Sequence, residues 1–161
     1  MAETSRIAIL QAAPCFGAPA EFKYSLPSIV SVVANVVDVL IARISSFRIA
    51  DGSEDDIELA LQEALLNAVI HGNKEDPFKR VYITVRCSPD GDVHIKISDE
   101  GAGFDLASVP DPTAGENLLR ISGRGIFLMR TLMDEVSFDH GGSVVQMRKR
   151  GSTGRLRGGN L

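Results

Sequence analysis

Cysteine, long apolar runs and basic charge are all scarce in this sequence, and each scarcity argues against a class of protein. The 161 residues contain two cysteines, Cys15 and Cys87, which lie far apart in no metal-like spacing. We therefore expect reduced thiols in a cytoplasmic protein. No apolar run approaches the roughly 20 residues that cross a bilayer, and the stretch 7–10 is too short for a secretory signal. We expect no membrane association.

The charge balance is slightly acidic. The net charge is −4, from 17 Lys and Arg against 21 Asp and Glu, and there is no long basic run. Nucleic acid is therefore not expected as a direct partner. With 44% hydrophobic and 24% charged residues, the composition is that of a globular protein, and the length suits one domain with a sizeable core.

The best-known nucleotide and hydrolase motifs are also missing. The sequence has no Gly-x-x-x-x-Gly-Lys-Ser/Thr segment, no Cys–His cluster and no serine in a Gly-x-Ser-x-Gly setting. Gly101-Ala-Gly103 lacks the third glycine of the dinucleotide fingerprint, because Leu106 occupies that position, and a loop rather than a helix is expected after it. Any nucleotide site must therefore be built differently.

The stretch 58–73 is the centre of what the sequence does contain, and it predicts a helix that ends at Gly72. At about 100° per residue, Glu63, Asn67 and His71 fall on one polar stripe, which has apolar residues on both flanks. Such a stripe is costly to bury unless other polar groups pair with it. Both a buried hydrogen-bond network and a ligand pocket would account for it.

Helices and strands are predicted on both sides of this stretch. Polar residues at steps of three and four predict a helix from Pro27 to about Ser45, and Ser53 followed by three acids predicts the start of the central helix. Gly123-Arg-Gly125 is expected to open a further helix over 126–134. Alternating residues predict five short strands, at 21–25, 80–88, 92–98, 135–139 and 143–147.

The ends of the chain and one long connection carry no clear period. Residues 1–19 form an arm that is either loose or adds an edge strand, and residues 20–150 form a single domain. Residues 151–161 are expected to be a flexible tail, with fraying from Arg148 onwards. The connection over 104–122 is long for a compact domain, which is typical of functional or mobile loops.

Two glycine pairs are candidate ligand contacts. Gly101 and Gly103 follow a predicted strand, and Gly123 and Gly125 open a predicted helix. Glycine allows a ligand to approach the backbone closely, and free N–H groups at a helix N-terminus favour an anion. The second pair is therefore a candidate phosphate cradle, although glycines can also simply punctuate loops.

The order of these segments resembles the GHKL ATPases, a family that includes histidine kinases, gyrase, heat-shock protein 90 and mismatch-repair ATPases. Glu63-Ala-Leu-Leu-Asn67-Ala-Val-Ile-His71-Gly72 resembles the N-box, Asp99-Glu-Gly101-Ala-Gly103 the first glycine box, and Gly123-Arg-Gly125-Ile-Phe-Leu-Met129 the second. The resemblance covers roughly residues 20–150. The forms of the first and last segments are most similar to bacterial anti-sigma-factor serine kinases.

The resemblance implies a site for ATP and Mg²⁺. Asn67 would bind Mg²⁺, Glu63 would act as general base, and Asp99 would accept a hydrogen bond from the adenine amino group. Gly101 and Gly103 would leave room for the base.

Further contacts implied by the resemblance concern the phosphates and a lid. Backbone N–H groups at Gly123 and Gly125 would reach the phosphates. Either Arg120 or Arg124 would contact the γ-phosphate, and His71 would cap the helix or pack beneath a lid. That lid would run from about Asp105 to Ser122 and close over ATP.

The fold implied by the resemblance is an α/β two-layer sandwich, the Bergerat fold, in which three helices cover one face of a mixed, mostly antiparallel sheet. The implied activity is serine/threonine protein kinase. The implied partners are an anti-sigma-factor antagonist with a STAS domain, which is the substrate, and a sigma factor, which is sequestered; a homodimer is also implied. A different class of function stays open: an ATP-binding module that sequesters a partner without useful catalysis, or the output end of a larger signalling system.

Overall fold

The computed structural model describes residues 8–12, 19–47, 53–103 and 121–151. These residues form six strands and three α-helices, together with a π-helical turn at Asn67–Gly72 and a 3-10 turn at His140–Gly142. In chain order the elements are β1 (Ala8–Ala12), β2 (Ala20–Pro27), α1 (Val30–Ser45), α2 (Glu54–Leu66), β3 (Arg80–Cys87), β4 (Val93–Asp99), α3 (Ile121–Leu132), β5 (Glu135–Asp139) and β6 (Val144–Lys149).

The strands form one sheet in the order β1-β2-β3-β4-β6-β5. Each neighbouring pair is antiparallel, so the described part of the sheet is antiparallel throughout rather than mixed. Of the two possibilities for residues 1–19, the edge strand is the one observed, because β1 pairs with β2. The five strands predicted from alternation are all present, and β2 extends beyond the predicted 21–25 at both ends.

The two faces of the sheet differ in the way that alternation predicts. One face carries buried apolar side chains that share a single core with the helices, among them Phe22, Ile83 and Ile95. On the other face, the side chains of Arg86, His94 and Lys96 are exposed and lie opposite one another or diagonally across neighbouring strands. The protein is therefore an α/β two-layer sandwich, as predicted.

The helices bury the stripes that their sequences predict. Helix α1 buries Val33, Val36, Val37, Leu40 and Ile44, and α2 buries Ile57, Ala60, Leu61, Ala64 and Leu65. Full burial of a large aliphatic side chain stabilises the fold by roughly 1.5–3 kcal/mol. Helix α1 begins at Val30 rather than at the predicted Pro27, because Pro27 is still paired with Arg80 in the sheet.

The central helix ends at Gly72, as predicted, although its last six residues, Asn67–Gly72, form a π-helix rather than an α-helix. The structure corrects two other boundaries. Helix α3 begins at Ile121, so the second glycine pair lies within its first turns instead of preceding it. The prediction of fraying from Arg148 is also wrong, because strand β6 extends to Lys149.

The stabilising contacts at the end of β6 are ionic. The Arg148 guanidinium donates to the carboxylates of Asp92 and Glu135, and the ammonium group of Lys149 is buried.

Several predicted features lie outside the described residues. They are Cys15, Arg120, most of the proposed lid and the tail after Gly151. None of the helices in the described ranges combines the length and apolar character needed to span a bilayer.

Candidate functional site

Helices α2 and α3 meet where two of the predicted motifs lie. Glu63 and Asn67 are one turn apart at the end of α2, and both are half-buried. Gly125 of α3 is buried directly against them: a Cβ atom at this position would lie 2.6 Å from Glu63 Oε2 and 3.4 Å from Asn67 Nδ2. The absence of a side chain at Gly125 therefore lets the second glycine segment approach a carboxylate and a carboxamide.

The third predicted motif reaches the same region from the sheet. Asp99 is the last residue of β4, and its Oδ1 accepts a hydrogen bond of 2.8 Å from the N–H of Gly101. Gly72, at the end of the π-helical turn, packs on this carboxyl group, since a Cβ there would lie 2.4 Å from Asp99 Cγ. A Cβ at Gly101 would in turn lie 2.1 Å from the carbonyl oxygen of Gly72. The helix end and the first glycine turn thus enclose Asp99.

Partial burial changes the acidity of Asp99. Loss of solvent raises the pKa of its carboxyl above the ordinary value of 3.8, while the Gly101 N–H and the charge of Lys79 oppose that rise. A carboxyl group held in this way accepts hydrogen bonds strongly when it is ionised. The Gly101 N–H donates to Oδ1, which leaves acceptor capacity at the other oxygen.

A narrow cavity is lined by Asn67 and Asp99 but not by Glu63 or by the glycines that contact them. Its walls are mostly apolar or glycine, with Asn67, Asp99 and Ser143 as the polar members; the remaining lining residues are Ala64, Ala68, Ile97, Met129, Phe138, Gly142 and Val145. Apolar walls with a carboxyl group suit a flat heteroaromatic ring that carries an amino group. The cavity volume is about 20 Å³, which is too small for a heteroaromatic ring unless the walls part. Side-chain rearrangement on binding is common.

Gly103 does not line this cavity. Its φ of +79° is strained for residues with a side chain, and a Cβ there would lie 2.2 Å from the carbonyl oxygen of Gly141. The contact joins the first glycine turn to the turn between β5 and β6. In this structure Gly103 is therefore explained by backbone packing, and a contact with the base remains a prediction.

The predicted polar stripe is only partly preserved. The backbone N–H of Asn73 donates to the carbonyl oxygen of Ala68 at 2.8 Å, five residues earlier. Side chains four residues apart therefore no longer lie on one face of the helix after Asn67. The side chain of His71 is exposed, whereas Glu63 and Asn67 are half-buried. The exposed side chain of Arg124 lies near the start of α3, next to Gly123 in the same turn.

One buried polar residue at this site was not singled out by the sequence. Asn73 is 0% exposed, although it begins a run of polar residues at 73–76. Its Nδ2 donates to the Arg80 carbonyl oxygen, and its Oδ1 accepts from the Glu100 N–H, each at 2.9 Å. An asparagine directly after a helix-ending glycine is the only sequence signal that could have indicated this role.

Comparison with known proteins agrees with the way that the fold brings the predicted motifs together. The model of the histidine kinase-like ATPase domain family matches residues 26–149. An anti-sigma F factor of Geobacillus sp. (strain WCH70) is 40% identical over 100 residues, which cover 58% of this chain and 67% of the relative. An anti-sigma F factor of Heyndrickxia coagulans is 34% identical over 98 residues, covering 57% and 66%.

A third relative carries a kinase name. The serine-protein kinase RsbW of Listeria innocua serovar 6a is 32% identical over 102 residues, covering 58% of this chain and 64% of the relative. The chain thus spans about two thirds, or slightly less, of the length of the relatives that it matches. Because the family match includes the segments that carry Glu63, Asn67, Asp99 and Gly125, this chain belongs to the histidine kinase-like ATPase domain family.

Proposed function

We propose that this chain is an ATP-dependent serine/threonine protein kinase and an anti-sigma factor. Its substrate would be a STAS-domain antagonist, and it would sequester a sigma factor when that antagonist does not occupy it. The observation that carries the proposal is the contact of Gly125 with both Glu63 and Asn67. The names of the relatives, an anti-sigma F factor and a serine-protein kinase, support the same assignment.

The placement of Glu63 suits a general base. Glu63 is half-buried against Gly125, in the second turn of α3, so it lies near the N-terminal part of that helix, where free N–H groups favour an anion. From that position Glu63 would accept the proton of a serine or threonine hydroxyl while the hydroxyl oxygen bonds to the terminal phosphorus of ATP. The bond between that phosphorus and the oxygen bridging it to the β-phosphate breaks at the same time, and ADP is the leaving group. Phosphoryl transfer depends mainly on such positioning and on charge stabilisation.

The donor set fits a nucleotide-bound magnesium ion. Mg²⁺ retains several waters and takes few protein ligands beside substrate phosphates, so the Asn67 carboxamide oxygen is a sufficient protein ligand. Within the described ranges, no group of three or more His, Cys, Asp or Glu side chains could hold a metal by itself. Mg²⁺, when bound, supplies positive charge that offsets the negative charge of the phosphates.

Glu63→Gln tests the proposed base. The substitution keeps the size of the side chain but removes the proton acceptor, so phosphotransfer should fall by roughly 100-fold or more, while ATP affinity stays within about threefold. The assay uses labelled ATP and an antagonist identified among the neighbouring gene products that co-purify with this chain in Mg-ATP.

A matched control lies on the same helix. Glu58 is exposed on the opposite, solvent face of α2, so Glu58→Gln should leave both phosphotransfer and ATP affinity unchanged. Normal phosphotransfer by Glu63→Gln would remove Glu63 from the mechanism. ATP binding by the unmodified chain without any phosphotransfer to its co-purified partner would instead favour a non-catalytic ATP-binding module.

A further inference from the structure

The fully buried side chain of Asn73 connects three segments that surround Asp99. Its Nδ2 donates to the carbonyl oxygen of Arg80 at the start of β3, and its Oδ1 accepts from the N–H of Glu100. Its own backbone N–H closes the π-helical turn on Ala68. One carboxamide therefore joins the helix end, the sheet and the first glycine turn.

Asn73 is connected to both sides of the Asp99 carboxyl group, through the residue before it in sequence and through its hydrogen bond to Glu100. Gly72, immediately before Asn73, packs against that group from the helix side. Glu100, held by Asn73, lies between Asp99 and Gly101, and Gly101 donates to Asp99 Oδ1. Movement of Asn73 would therefore shift the Asp99 carboxyl from both sides.

The same glycine turn is also held at its outer side. The backbone N–H of Arg80 donates to Glu100 Oε2 at 2.8 Å, and the Tyr82 hydroxyl donates to Glu100 Oε1 at 3.0 Å. These contacts anchor the Glu100 side chain to β3, whereas Asn73 anchors the Glu100 backbone to the helix. The helix-side anchor depends on a single buried side chain.

We propose that Asn73 is a positioning residue that sets the depth of Asp99 in the cleft and so sets the preference for adenine over guanine. The proposal rests on the proposed nucleotide site. The position requires a donor and an acceptor in one short side chain, because it serves a carbonyl oxygen and an N–H at once. Asparagine provides both; alanine provides neither, and aspartate keeps only the acceptor.

The test compares equilibrium affinities for Mg-ATP and Mg-GTP, measured by calorimetry. Asn73→Ala should weaken ATP binding at least tenfold and change GTP binding by less than threefold, so the ATP:GTP preference falls. In an Asp99→Asn background, Asn73→Ala should produce no further change in that preference, because the effect acts through Asp99.

Ser28→Ala is the matched control. Ser28 is also 0% exposed, and its hydroxyl donates to the carbonyl oxygen of Val69 in the same π-helical turn at 3.4 Å. Its backbone N–H donates to the carbonyl oxygen of Lys79, so neither hydrogen bond involves the Asp99 turn. Removal of the hydroxyl should alter stability but leave the ATP:GTP preference within twofold of the original.

Asn73→Asp keeps the proposal testable if Asn73→Ala does not fold. This variant keeps the acceptor for the Glu100 N–H, and we expect an intermediate ATP:GTP preference. A folded Asn73 variant that loses stability but retains the full preference would reduce Asn73 to a structural role and overturn the proposal. Because the readout is binding, this outcome is separate from failure of kinase activity, which the phosphotransfer assay measures on the unmodified chain.

Discussion

At residue 125 the absence of a side chain determines how closely α3 approaches α2. A Cβ at this position would lie nearest to the carboxylate of Glu63, at 2.6 Å, and next nearest to Asn67 Nδ2, at 3.4 Å. Gly125 otherwise lies in the helix interior, where glycine is less favourable than alanine by roughly 0.5–1 kcal/mol. Close approach at the site is thus obtained at the expense of helix propensity.

Gly125→Ala should separate activity from stability. The added methyl group displaces the Glu63 carboxylate, so phosphotransfer should fall by roughly tenfold or more, while the free energy of unfolding stays equal or rises by up to about 1 kcal/mol. Urea unfolding and the phosphotransfer assay measure the two effects.

Phe127→Ala is the control for Gly125→Ala, because Phe127 is 45% exposed two residues further along α3. It should leave phosphotransfer unchanged. Full activity in Gly125→Ala would show that the spacing between the helices is not set at this position.

Single residues differ in how well the sequence predicts their surroundings. The sequence predicts Glu63, Asn67 and Gly125 in one site, and the structure brings them into contact; their chemical roles remain predictions. Asn73 was not singled out, because its side-chain partners are backbone groups at positions 80 and 100. Nearly every residue carries such groups, so the residue types at those positions give no signal, and the place of Asn73 directly after Gly72 was the only one.

At the scale of elements, Lys149 fixes the ends of α2 and α3 that lie farthest from the site. Its buried ammonium group donates to Asp56 Oδ2 at 2.6 Å, in the first turn of α2, and to the carbonyl oxygen of Leu132 at 2.5 Å, at the end of α3. A cation is favourable at a helix C-terminus, and the acid is favourable at a helix N-terminus. One side chain therefore links the two helix ends.

Lys149→Met should destabilise the protein by roughly 1.5–3 kcal/mol, the range for hydrogen bonds to a charged group. The control is Lys23→Met. Lys23 forms an ion pair with Glu21 whose side chains are 42% and 30% exposed, so its loss should destabilise the protein less than the loss of the Lys149 contacts. Midpoints of urea unfolding measure both changes. Equal midpoints for the two variants would contradict the role given to Lys149.

Element type was easier to predict than element geometry. The spacing of apolar residues in α1 and α2 follows the helical period, and the strands alternate, so both can be predicted from pattern. The π-helical turn cannot, because a turn with hydrogen bonds to the fifth residue contains the same residue types as an α-helix. The turn is accompanied by contacts with residues distant in sequence, such as those of Gly72 with Asp99 and of Asn73 with Glu100.

For the whole molecule, the layer arrangement follows from two-sided alternation along the strands. Each central strand is apolar towards the helices and polar towards the open face, which predicts a sheet covered on one side only. The strand order could not be deduced in this way, because β6 lies between β4 and β5 although it follows both in sequence.

Asp99 should also affect the pH dependence of global stability. Burial raises its pKa in the folded protein above the ordinary value of 3.8, so the folded state binds a proton more readily than the unfolded chain does. This stabilising contribution is fully present below pH 3.8 and is lost as the pH rises through the raised folded-state value.

Asp99→Asn isolates this contribution, because other titrating groups are common to both proteins. The difference in the free energy of unfolding between variant and original should grow in favour of the variant as the pH rises through that window. Urea unfolding at a series of pH values measures it. A difference that is independent of pH would contradict the raised pKa.

Asp99→Asn should also bind ATP weakly at neutral pH, which calorimetry would show.

The contact between Gly103 and Gly141 has a consequence for how this protein can diverge among species. Backbone atoms meet there, and a side chain at position 103 would collide with the carbonyl oxygen of Gly141. Position 103 should therefore accept glycine alone, since any larger residue would displace one of the two turns that meet there.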